Sequence, residues 1–199
     1  YYKKRLADMK QTLIFLGLAG LMTSTMAIDP RLGSVSPPGV QVGTEVELRF
    51  NGSRLDDAQE ILFYKKGFQV LKIEEKVAGF VRAKVKVAAD CPLGEHPVRV
   101  RTAGGITELK TFYVGPFPVV DRVKPKDGEP PQKLPLNCTI ASSVANESQE
   151  IFTVDAKKGQ RLSAEIESMR LGRGFYDPYI EILDTKGFIL SRSDDTKLF

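Results

Sequence analysis

The chain has 199 residues, with 29 Lys and Arg against 25 Asp and Glu and a formal charge of +4. One His, two Cys and no Trp leave little room for a His-based zinc site, a two-His catalytic centre or a disulfide-rich miniprotein. Apolar residues at 42% and charged residues at 27% are the proportions of a folded globular chain, which excludes a collagen or a disordered tail.

The first predicted element is an export signal. Lys3, Lys4, Arg5 and Lys10 stand against Asp8 alone, so most of the net charge sits in residues 1–27 and does not speak for an anionic partner. An uninterrupted apolar run of ten residues follows, from Leu13 to Met22. A membrane-spanning helix needs about 20 such residues, so the run is too short to be one. Thr25 and Ala27 then supply small residues at −3 and −1, which predicts cleavage after Ala27. Met9-Lys10 fits a translation start just before the apolar run, and a chain that opens on Tyr1 reads as a fragment. The expectation is an exported protein, extracellular, at the cell surface or periplasmic, with no transmembrane segment beyond the signal.

From residue 28 onward the apolar period is two. Glu45-Val46-Glu47-Leu48-Arg49-Phe50 alternates strictly, as does Val81-Arg82-Ala83-Lys84-Val85-Lys86-Val87. His96, Val98 and Val100 alternate with Pro97, Arg99 and Arg101. Such alternation puts one side of an antiparallel strand on a core and the other in water. Residues 60–64, 70–75 and 108–114 are further strand candidates. Pro37-Pro38-Gly39, Asn51-Gly52, Lys66-Gly67, Pro92-Leu93-Gly94 and Gly104-Gly105 punctuate them as turns. Residues 28–115 thus predict six or seven strands in an immunoglobulin-like sandwich.

Residues 116–131 predict a Pro-rich linker, because Pro lacks the backbone donor that a central strand needs. Residues 132–199 are strand-rich again, with apolar runs at 151–154, 162–166, 179–183 and 188–190. They read as a truncated, jelly-roll-like sandwich with four or five strands. The expected fold class is all-β, with two β-sandwich domains behind a signal peptide.

Catalytic and nucleic-acid chemistry find little support. His96 is the single imidazole, and Cys91 lies five residues away, but the alternation places His96 on an apolar strand face. Arg170-Leu171-Gly172-Arg173-Gly174 is followed by no helix and no Lys-Ser/Thr, so it is no phosphate loop. The lysines alternate on strands or are balanced by acids, unlike a clustered basic footprint. Cys91 and Cys138 fall on either side of the linker and read as two free thiols. Asp177, Asp184, Asp194 and Asp195 lie at strand ends or turns, where carboxylates can converge on Ca²⁺ or form Asx turns. No spacing matches a dedicated calcium loop, so no cofactor is assigned.

Two stretches carry a family resemblance. Phe152-Thr153-Val154-Asp155-Ala156-Lys157-Lys158-Gly159-Gln160-Arg161-Leu162, Met169-Arg170-Leu171-Gly172, Asp177-Pro178-Tyr179-Ile180-Glu181-Ile182-Leu183-Asp184 and Ser193-Asp194-Asp195 resemble the bacterial pre-peptidase C-terminal domain. Pro30-Arg31-Leu32, Ser36-Pro37-Pro38-Gly39 and Gly43 are similar to immunoglobulin-like TIG modules. Residues 91–102 and 112–115 resemble companions of that domain in large secreted proteins of planctomycete-type bacteria. The resemblance implies a secreted, non-catalytic module for surface localisation, adhesion or substrate and carbohydrate binding, with an extracellular protein or polysaccharide as partner. Where the family carries acidic positions before its first strong strand, this chain has Ser148-Gln149-Glu150-Ile151-Phe152, which weighs against calcium. Two alternatives stand beside this reading: the accessory region of a secreted peptidase, and a structural cell-surface repeat protein.

Overall fold

The computed structural model describes residues 29–145, 147–172 and 177–194. The expected signal peptide, with Met9 and Ala27, lies outside the described residues, as does Asp195. Eight strands build the N-terminal unit: β1 (Arg31–Ser36), β2 (Gly39–Gln41), β3 (Glu45–Ser53), β4 (Ala58–Phe63), β5 (Phe68–Val77), β6 (Phe80–Val87), β7 (Gly94–Thr102) and β8 (Lys110–Gly115). They form two four-stranded sheets, ordered β1-β3-β6-β5 and β2-β8-β7-β4. That is the strand order of an immunoglobulin-type sandwich, with the first strand split between the sheets. The chain changes sheet at Pro37-Pro38: β1 pairs antiparallel with β3, whereas β2 pairs parallel with β8.

The core is built from the inward parity of each strand. Leu48 and Phe50 of β3 and Val81, Ala83, Val85 and Val87 of β6 face Val98 and Val100 of β7 and Phe112 and Val114 of β8. Burying an aliphatic or aromatic side chain of this size contributes about 1.5–3 kcal/mol, and these residues are almost wholly shielded from water. The outward parity of β3, β5 and β6 is largely charged, and part of it pairs across the strands. Lys84 pairs with Glu45 at 2.9 Å, and Arg82 with Glu75 at 2.7 Å and Glu47 at 3.8 Å. These exposed pairs keep the sheet soluble and add little stability.

Residues 116–194 are organised differently. The described strands are β9 (Val119–Val120), β10 (Gln132–Leu134), β11 (Thr139–Ile140), β12 (Phe152–Val154), β13 (Ile180–Leu183) and β14 (Ile189–Ser193). They pair only in twos: β10 with β12 and β9 with β11 in parallel, and β13 with β14 antiparallel. The stretch expected as linker holds β9, and the expected strand at 162–166 is not formed. Ile166 is exposed there, and no neighbouring strand offers it a ladder. Among the described residues after Gly115, Leu171 alone is buried. It sits in a single 3-10 turn, Met169–Leu171, closed by Gly172 in the left-handed region with φ of 63°.

Candidate functional site

The sequence-predicted acids do not come together. Asp184 Oδ1 accepts from the backbone N–H of Lys186 at 2.8 Å and of Phe188 at 2.9 Å, so it closes the β13–β14 hairpin as an Asx turn. Asp194 lies 3.4 Å from Arg192, and Asp177 is exposed just ahead of β13. Among the described residues, no three His, Cys, Asp or Glu side chains stand close enough to hold a metal ion. Among the described residues Asp184 thus serves a turn and Asp194 an ion pair, and the fourth calcium candidate, Asp195, lies outside them.

His96 and Cys91 do meet, but inside the core. His96 is fully buried, with Nε2 at 2.6 Å from the Pro92 carbonyl and 4.0 Å from Cys91 Sγ. The short contact to a carbonyl puts the ring proton on Nε2, because a carbonyl can only accept. Nδ1 is left buried without a partner. Desolvation holds the imidazole below its usual range, in spite of the Pro92 hydrogen bond that favours the proton. Desolvation likewise pushes the Cys91 thiol up, which disfavours the thiolate that a nucleophile requires. Phe68 packs edge-on to the His96 ring at 4.9 Å, and the pair has no open side for a substrate. Cys91 and Cys138 are both free thiols.

The outward face of β4, β7 and β8 presents an exposed aromatic beside an arginine, while on the other sheet Arg49 lies over the Phe80 ring at 3.8 Å. Cross-strand register sets its rows. Glu60 lies opposite Arg101, Leu62 opposite Arg99, and Pro97 opposite Thr111. Tyr64 follows β4 and donates its backbone N–H to the Pro97 carbonyl at 3.2 Å. Pro97 has no N–H to return, so the β4–β7 ladder ends there. Tyr64 is 55% exposed, and the Arg99 guanidinium lies over its ring, 6.0 Å from the centroid. Arg101 is committed to Glu60 at 3.0 Å and Gln59 at 2.7 Å. No ion pair or hydrogen bond holds the Arg99 side chain among the described residues, and its Nε, like that of Arg82, is shielded without a partner.

The 3-10 turn covers the other half of this face. Thr111 donates its hydroxyl to the Arg170 carbonyl, Lys110 Nζ donates to the Gly172 carbonyl at 3.2 Å, and Arg170 reaches Glu95 at 3.5 Å. Desolvation and the nearby Glu165, Glu167 and Glu95 raise Tyr113 above its usual range. Glu167 is itself raised, by desolvation first and against the pull of Arg170. The turn thus occupies β8 and leaves Tyr64, Leu62 and Arg99 on the open side. Tyr64 lay inside the strand expected at 60–64, yet its role was not visible, because Ile61, Leu62, Phe63 and Tyr64 are all apolar and give no parity.

This geometry defines an all-β sandwich protein. No protein-family model and no curated protein matches the chain. Among solved structures it is similar to the Bacteroides ovatus mixed-linkage glucan utilization locus SGBP-B, determined with a mixed-linkage heptasaccharide. The TM-score is 0.34 and the identity 15%, over 54% of this chain and 25% of that one. A likeness at that level says nothing of what this chain binds.

Proposed function

We propose that the chain is a non-catalytic binding module of an exported protein, with 28–115 as a TIG-type sandwich and 132–199 as a pre-peptidase C-terminal-type segment. It engages an extracellular polysaccharide through the outward face of β4 and β7. The observation that carries the reading is Tyr64, an aromatic ring left largely in water on a sheet face whose neighbours can hydrogen-bond. A flat aromatic flanked by polar groups offers a sugar both an apolar surface and donors. The basic, apolar and small-residue sequence of 1–27 supports export, and the burial of His96 and Cys91 supports a role without turnover.

Affinity electrophoresis tests this. The chain is run through gels containing polygalacturonate, xylan or mixed-linkage β-glucan. Retardation in at least one gel, lost in Tyr64→Ala at unchanged circular dichroism, is the expected result. Equal mobility in every gel overturns the reading.

A further inference from the structure

We infer that residues 165–172 are a proton-operated strap on β7 and β8: they close on these strands in mild acid and release them as the pH rises. The inference is independent of the binding reading above. One side chain and three polar contacts seat the strap. Leu171 is buried on β8, and Thr111 donates its hydroxyl to the Arg170 carbonyl. Lys110 Nζ donates to the Gly172 carbonyl at 3.2 Å, and Arg170 stands 3.5 Å from Glu95. The polar contacts are all at the surface, where each gains little. One buried leucine then stands against the entropy of ordering several residues, and the two are of similar size. A modest further interaction therefore decides between the seated and the released strap.

That interaction is an excess of negative charge. Closure gathers Glu165 and Glu167 of the strap and Glu95 of β7 beside Tyr113 of β8, with Arg170 as the nearby cation. Lys110 is engaged by the Gly172 carbonyl, and Lys65, from the turn after β4, by the Glu95 carbonyl at 2.6 Å. Three carboxylates thus share one guanidinium, and a proton relieves their repulsion. Glu167 is where it goes, because Glu167 is half-buried and Glu165 is exposed. Burial, joined by Glu165 and Glu95 and opposed by Arg170, holds the Glu167 carboxyl above its ordinary range. Tyr113 is itself raised and stays a neutral phenol throughout. In the released strap Glu167 returns to water and to its ordinary 4.5. The closed strap therefore keeps a proton that the open strap gives up. Its gain is fully present below pH 4.5 and is lost as the pH rises through the closed-state value.

Methyl NMR of the full chain between pH 7.5 and 4.5 tests this, with Leu171 as the probe and Val85 and Val100 as reporters of the core. The expected result is a Leu171 resonance that moves towards its buried position as the pH falls, with a severalfold rise in the ratio of closed to open strap. The core methyls should not move. Glu167→Gln, which is neutral at every pH, should hold Leu171 at the closed position throughout. His96→Leu should leave the Leu171 titration in place, which separates it from the core imidazole. A Leu171 resonance that is static in the native sequence overturns the inference, as does a titration that persists in Glu167→Gln or vanishes in His96→Leu. Movement of Leu171 matched by Val85 and Val100 reports opening of the whole sandwich and overturns it too.

Discussion

His96 donates from Nε2 to the Pro92 carbonyl at 2.6 Å and leaves Nδ1 in the core without a partner. The ring must therefore stay neutral for the sandwich to close around it. Its folded pKa lies below the ordinary 6.5, so below that pH the unfolded chain binds the proton that the native chain refuses. Stability is flat above the unfolded pKa and falls as pH drops from about 6.5 towards the depressed folded value. Urea midpoints measured between pH 7.5 and 5 should show this fall in the native sequence. In His96→Leu the slope over that window should shrink, whatever that variant's absolute stability; an unchanged slope contradicts the assignment.

Gly67 and Cys91 are in contact so close that a side chain cannot be added. Gly67 has φ of +105°, and a Cβ there would fall 2.6 Å from Cys91 Cβ and 2.9 Å from its Cα. Relaxing the thiol alone does not clear the backbone atom. Gly67→Ala should destabilise by at least about 1 kcal/mol, from both the strained φ and the overlap. Cys91→Ala should fail to rescue it in a double-mutant cycle.

The two thiols should differ in reactivity. Cys91 is buried and raised in pKa, whereas Cys138 is half-buried. An aromatic disulfide reagent should label one thiol per native chain, at Cys138, and the second only on unfolding. Two equivalents reacting at one rate under native conditions would refute the burial of Cys91.

The 3-10 turn should be separable from the sandwich. Leu171→Asp places a charge where the chain is buried on β8, and Thr111→Val removes the donor to Arg170. Both should speed hydrogen exchange and proteolysis around 165–172 while leaving the protected amides of β3 and β6 unchanged, because few contacts link the turn to that core. Loss of protection throughout β3 and β6 would show instead that the turn belongs to the same cooperative unit.

Strict alternation made β3, β6 and β7 legible, because one residue in two reaches a continuous core. β1 was hidden by a register shift between Leu32 and Ser34, which puts its buried Leu32 and Val35 three apart instead of two. β2 is three residues long, too short to display a period. Apolar content at 162–166 predicted a strand, but a strand exists only where a neighbour supplies its hydrogen bonds, and none does so there. The open face was least legible of all. Tyr64 and Arg99 meet through the β4–β7 register, a long-range fact that no local pattern carries.

The module is proposed to bind through one sheet face. Amide hydrogen exchange with and without the polysaccharide that most retards the chain tests it directly, since the two sheets report separately. Added protection is expected at the end of β4 and along β7 around Tyr64 and Arg99, with β3, β5 and β6 unchanged. Protection confined to the charged face of β3, β5 and β6, with Tyr64 and Arg99 unaffected, would contradict it.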